Sequence, residues 1–444
     1  MNAPASGGPA TANSPRLGLP LLFFVLGPLA LVLLFAALAL GGDRLLVYYT
    51  LPADLAETHL ATLGWLTAVM MGALYQLAPV VFRTRLYSER LGRLQFCLYA
   101  LGVAGLVLSF RQMWTPGLAI CGSTVVVAVL LFLYNIGRTL LRRETWSLTG
   151  QFLLHAFACL TLTVAVGLSF ALNLHFHWFA VPAQALAAHV HLGIAGWFGL
   201  TLIGVNYELM PMFALVHGHG LRLARAILWV VTAGVVLLFV ALLLGLPRPV
   251  VLTAALTLAS GYALWIYDVY RMFRLRRRKM LDLTQLHTIA STVALAATIG
   301  VGLYLVFAGP STPAAETRWY MAYATLALGG WLTLAIMGQY YKILPFLVWH
   351  HRYSPLLGRA PVPLLRDLYN ERRARATFAL YLAGLVAVVG ALLAGSGVAL
   401  RLAGLLALAG AGGWAWTLVE VLRPHRPAVR GPATPPRPPA TVQS

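Results

Sequence analysis

Residues 185–213 read ALAAHVHLGIAGWFGLTLIGVNYELMPMF, with His189 and His191 near one end and Tyr207 and Pro211 near the other. The stretch is apolar and long enough to cross a bilayer as one helix. Two other stretches copy it. HLATLGWLTAVMMGALYQLAP from His59 and TLALGGWLTLAIMGQYYKILP from Thr325 align with HLGIAGWFGLTLIGVNYELMP from His191. Counted from the first residue of each copy, Gly-Trp recurs at steps five and six, Gly at thirteen, Tyr at sixteen and Pro at twenty. A motif that returns at a fixed period is an internal repeat. The copies start 132 and 134 residues apart, which leaves room for about four spans each at roughly 20 apolar residues plus loops. The expected fold is therefore an all-α membrane protein with twelve transmembrane helices in three pseudo-repeats of four, covering about 16–138, 150–272 and 284–422.

Composition supports this class. Hydrophobic residues make up 60% of the 444 residues and charged residues only 10%, and the mean hydropathy is +0.80; a soluble enzyme with a large core does not have that balance. The net charge of +20 does not indicate nucleic acid, because the basic residues sit in short loops between apolar runs, where membrane orientation accounts for them. Cys97, Cys121 and Cys159 lie inside apolar segments without CxxC or CxxCH spacing, so a disulfide framework, a zinc site and covalently attached haem are not indicated.

Residues 1–15, rich in Ala, Gly, Pro and Ser, read as a disordered stub, and 423–444 as a disordered tail rich in Pro and Arg. Between them, spans are expected near 16–41, 54–82, 91–110, 117–137, 151–173, 186–213, 223–246, 250–272, 285–308, 320–347, 376–395 and 398–421. Clusters such as Arg83/Arg85/Arg90/Arg93 and Arg276/Arg277/Arg278/Lys279 fall in alternate loops. The positive-inside rule places those loops, and both termini, in the cytoplasm, as for a multi-pass protein of a bacterial inner membrane.

Orientation sorts the histidines by depth. His59, His189 and His191 lie near the outer ends of their spans, and His175 and His177 close the span before His189. His155 and His287 begin the spans at 151–173 and 285–308, about 20 residues or ~30 Å of helix away, and belong to a different depth; His217, His219, His350, His351 and His425 fall in cytoplasmic loops or the tail. Imidazole within a membrane span is costly, usually faces the bundle interior, and suits haem iron or copper. His189 and His191 are two residues apart, about 200° around a helix, so one helix can serve two sites. The plain alternative for any one of them is a hydrogen-bonded packing residue, and a surface loop tolerates His175 and His177 without function. The repeat glycines permit close helix approach, and Pro79, Pro211 and Pro345 are expected to end or kink each span. At step seventeen stand Gln76, Glu208 and Lys342; Glu208 is read as pairing with Lys342, or as the mouth of a proton path.

Three units of four spans, with histidines near the outer ends of the second and sixth and an H-x-H on the sixth, resemble subunit I of the haem–copper oxidase and nitric oxide reductase superfamily across about residues 16–422. In length, span number and histidine content the chain is also similar to the nitric-oxide-resistance haem–copper membrane proteins. The resemblance implies a b-type haem near the outer face, copper as a further possibility, and partners among O2, NO, and a quinol or cytochrome electron donor. His59 with His189 or His191 would be axial ligands, Arg111 and Arg401 would hold haem propionates or anchor the interface, and His175 and His177 would join His59 around copper. The chain departs from that pattern at 320–347, which contains no histidine, and at 305–312 (LVFAGPST), which lacks a histidine pair. Unshifted, His59 matches a haem ligand and His189 or His191 a copper ligand; shifted by one repeat the pattern fits better, with His189-Val190-His191 in the role of the missing H-x-H and His175, His177 and His59 around copper. A cofactor-free transporter, an assembly factor or a gas sensor on the same fold remains the alternative.

Overall fold

The structure, a computed structural model, describes residues 16–143, 147–216, 218–277 and 280–425. The expected stub, most of the tail, His217, and Arg278 with Lys279 of one basic cluster lie outside them. Among the described residues twelve helices are long and apolar enough to cross a membrane: α1 Gly18–Leu46, α2 Pro52–Val81, α3 Glu89–Gln112, α4 Thr115–Leu140, α5 Leu148–Phe176, α6 Ala185–Ala214, α7 Arg222–Leu243, α8 Arg248–Leu275, α9 Leu283–Phe307, α10 Pro313–Arg352, α11 Glu371–Ala394 and α12 Gly397–Leu422. The chain is a multi-pass membrane protein, and among the described residues there is no strand. Most boundaries follow local chemistry. Ser88, Ser147, Thr312, Asn370 and Ser396 each accept a bond from a backbone N–H of the first turn they precede, supplying acceptors to donors that the helix cannot satisfy internally.

The helix carrying the motif is the inner helix of each repeat. In the most apolar stretch of α2, α6 and α10, 72%, 61% and 61% of residues are buried by protein, against 22–44% for the other nine. The last two helices of each repeat form a tight hairpin turned by a residue with positive φ: Met113 (50°), Gly245 (60°) and Gly395 (70°). Glycine sets the hairpin spacing. A Cβ on Gly102 would lie 3.0 Å from the Val125 nitrogen, on Gly234 2.6 Å from that of Leu258, and on Gly384 2.5 Å from that of Ala407. Gly384→Leu is therefore expected to force α11 from α12 and lower thermal stability by about 1–3 kcal/mol or more, read as a melting temperature in detergent; an unchanged value would mean that the pair spreads without cost.

Around Gly-Trp each inner helix widens into π-helical turns, at Leu60–Thr67, Leu192–Gly199 and Leu326–Leu332, a local geometry that frees backbone groups. The step-four carbonyl of each is used by a tyrosine from a peripheral helix. Tyr99 donates to Leu63 O (2.7 Å), Tyr262 to Ala195 O (2.7 Å) and Tyr381 to Gly329 O (2.9 Å). The tryptophans then tie the repeats together. Trp65 Nε1–H donates to Thr333 Oγ1 at 2.9 Å and Trp197 Nε1–H to Thr67 Oγ1 at 3.3 Å, so one repeat's Trp meets the step-eight threonine of another. The third boundary breaks the rule, because step eight of the second repeat is Gly199 and the Tyr262 ring packs against Trp331 there, 5.0 Å between centroids. Thr333→Val is expected to cost about 1–3 kcal/mol by leaving a buried indole N–H unpaired, again measured as a melting shift; no shift would show that the bond contributes nothing.

Pro79 and Pro211 end their helices within a turn, as expected. Pro345 does not: α10 continues to Arg352.

Candidate functional site

His59, His189 and His191 gather at one end of the inner helices, here called the histidine end; the arginine-rich loops mark the opposite, basic end. The Nδ1–H of His59 donates to Leu55 O at 2.7 Å, and its ring stacks on Phe110 at 4.6 Å. Since a carbonyl only accepts, Nδ1 carries the proton and Nε2 keeps its lone pair. His189 packs against Gly167 and Phe170 of α5. Its Nδ1 is buried without a well-formed hydrogen bond, and the Thr163 carbonyl is its polar neighbour. Among the described residues neither ring makes a hydrogen bond at Nε2.

His191 faces elsewhere. Its Nδ1 is held by Ala187 O at 2.8 Å and its Nε2 meets the Tyr323 hydroxyl at 3.1 Å. The His191–Tyr323 contact joins step zero of one repeat to the residue two before step zero in the next, and His59 and His189 hold the same two sequence positions at the boundary between the first and second repeats. Thr325 and Glu57 occupy the corresponding positions at the third boundary. Sequence reading compared step zero alone and so missed Tyr323; the residue two before each step zero was the available signal.

Packing differs between the two ends. Gly64–Gly72, Ala195–Gly204 and Gly330–Tyr341 are buried without interruption, whereas His59, Leu60, His189, Val190, His191 and Tyr323–Leu326 are half-buried. These stretches of the histidine end are less tightly enclosed than the middle of the same helices.

The remaining candidates lie near this end or away from it. Arg111 follows Phe110 and lies 3.8 Å from Glu57, which also binds Arg44 at 2.6 Å. Arg401 is engaged by Asp43 at 2.8 Å and half-exposed. The Nδ1 of His175 meets Thr115 Oγ1 at 3.2 Å, and His177 caps α5 with φ of 55°. Among the described residues, no three His, Cys, Asp or Glu side chains converge as a metal cage. The donor set fits a haem in kind: two imidazoles from adjacent repeats, each without a hydrogen bond at Nε2, and one arginine next to the stacked Phe110.

At the basic end one expectation is corrected. Lys342 pairs with Asp282 at 2.7 Å, not with Glu208, which accepts from Thr149 Oγ1 at 3.0 Å; the two step-seventeen residues point into different boundaries. His155 and His287 are not equivalent either. His287 packs on Gly338 as Phe152 does on Gly204 and Phe23 on Gly72, while His155 bonds Thr232 at 2.9 Å beside Trp229. The sequence also gave no sign of a buried cluster around Asp268, which accepts from Tyr207 OH (2.8 Å), His219 Nε2 (3.2 Å) and Arg271 Nη1 (3.3 Å).

No protein-family model matches this chain, and none of the curated proteins matches it either.

Proposed function

We propose that this is a haem-binding membrane protein related in plan to haem–copper oxidase subunit I, with His59 and His189 as the axial pair of one b-type haem. The observation that carries the reading is two imidazoles from adjacent repeats with Nε2 unclaimed, one of them oriented by a backbone carbonyl as metal-ligating histidines are. A bound haem would supply a one-electron centre whose potential is set by ligation and burial. The chain's own residues do the rest: Leu55 O keeps the His59 proton on Nδ1, Phe110 shields that ring from water, and Arg111 offers charge to a propionate. His59 and His189 would hold the haem, and the copper reading would need His175 and His177 turned inward. Loop charge supports a bacterial inner membrane, both termini cytoplasmic and the histidine end outward, with a quinol or a cytochrome as electron donor.

The test is the reduced-minus-oxidised absorption spectrum of the detergent-purified protein, with iron and copper measured on the same sample. The expected result is a b-type spectrum with iron near one per chain. A colourless protein after haem-replete expression would overturn the reading and leave a transporter or scaffold, whereas stoichiometric copper would move it toward a reductase.

A further inference from the structure

At the basic end the second and third repeats neutralise a charge that the first leaves standing. The hairpin contacts of Gly102, Gly234 and Gly384 put Val125, Leu258 and Ala407 at one repeat position. Ten residues further along α4, α8 and α12 come the buried Asn135, Asp268 and Thr417, and thirteen residues further Arg138, Arg271 and Glu420. Arg271 pairs with Asp268 at 3.3 Å, and Glu420 pairs with Arg373 of α11. Arg138 has an asparagine where Arg271 has its aspartate, and among the described residues it has no carboxylate partner.

Asn135 holds backbone instead. Its Oδ1 accepts the Ser88 N–H at 3.1 Å and its Nδ2–H donates to Ser88 O at 2.8 Å, while the Tyr87 N–H donates to Thr139 Oγ1 at 3.0 Å. The loop before α3 is thereby pinned to the end of α4, and Tyr87 with it. Arg138 and Arg142 both approach the Tyr87 ring, their guanidinium carbons 5.1 and 5.0 Å from its centroid. Arg142 too lacks a carboxylate partner among the described residues. Like charges four residues apart on a helix repel each other, and an anion shared between the two arginines relieves that repulsion.

The same face of α4 is apolar further into the span. Val127, Leu130, Tyr134, Arg138 and Leu141 follow at steps of three and four residues and are all exposed, so they form one stripe along the helix. On a membrane-spanning helix such a stripe faces lipid.

We propose that Arg138 and Arg142, positioned by Tyr87, bind the phosphate of an anionic phospholipid whose acyl chain lies along Val127, Leu130 and Tyr134. Guanidinium groups match phosphate oxygens in geometry and charge, and basic sites beside spans hold anionic head groups. The proposal concerns binding at the basic end and stands independently of the haem reading.

The delipidated full-length protein in detergent is melted against increasing dioleoylphosphatidylglycerol, dioleoylphosphatidylcholine or inorganic phosphate. Phosphatidylglycerol should raise the melting temperature at a concentration about tenfold or more below that of phosphatidylcholine, and phosphate alone should not raise it. Arg138→Gln with Arg142→Gln should abolish the preference, whereas Arg359→Gln with Arg372→Gln, which removes the same charge from exposed positions of the third repeat, should keep it. The first pair removes a repulsion, so in detergent alone it should melt no lower than the parent; a lower value would assign the arginines to packing and overturn the proposal. So would a parent without the preference, a preference that survives the first pair or is lost equally in the second, or stabilisation by phosphate alone.

Discussion

His189→Ala is expected to remove haem from the purified protein, and His59→Ala to do the same, whereas His191→Ala retains it. The difference rests on what each ring already binds. His191 is claimed at both nitrogens, by Ala187 O and by the Tyr323 hydroxyl, so its loss leaves one unpaired tyrosine and costs about 1–3 kcal/mol of stability. His59 and His189 each keep Nε2 free, and a haem held by two histidines loses an iron–nitrogen bond when either is removed. Even an outer partner of a metal ligand is typically worth about 10- to 100-fold in affinity, so removal of a ligand itself should exceed that and leave no haem after detergent purification. The readout is the haem absorbance per chain, with a melting curve to show that each variant is folded. Retention in His189→Ala together with loss in His191→Ala would reverse the assignment and place the site at the boundary between the second and third repeats.

Asp268→Ala should produce the largest loss of stability of any single substitution at the basic end. The carboxylate is fully buried and is the common acceptor for Tyr207, His219 and Arg271. Taking it away strands a hydroxyl, an imidazole and one end of a guanidinium in a low-dielectric interior, and breaking a buried pair in this way costs about 3–5 kcal/mol. Asp268→Asn keeps the shape and one acceptor and should cost less. Glu208→Gln is the control: Glu208 is exposed and held by a single threonine, so the change should fall within about 0.5 kcal/mol. If Asp268→Ala melts with the parent protein, the cluster does not hold α8 and the 215–221 loop to the bundle.

Much of this was visible in the chain. Hydropathy marked all twelve spans, and the step pattern from His59, His191 and Thr325 marked the three inner helices, because a helix that packs on every side needs Gly for contact and Trp for volume at fixed intervals. The 200° between His189 and His191 correctly sent them to different partners. Glu208 and Lys342 were misread because equal steps in a threefold repeat put residues about a third of a turn apart around the bundle, where they do not meet. His155 and His287 lie at similar depth but on different faces, since a shift of three residues moves a side chain from the core to the periphery.

Local and linear properties therefore came from the chain alone: the number of spans, the repeat, the end at which the histidines lie, and the opposite faces of His189 and His191. They depend only on side-chain hydropathy and on 3.6 residues per turn. Which group meets which was decided by the tertiary structure. The pairing of His191 with Tyr323, the freedom of Nε2 in His59 and His189 and the burial of Asp268 all depend on how the three repeats are set around one axis, where groups more than a hundred residues apart come within a hydrogen bond.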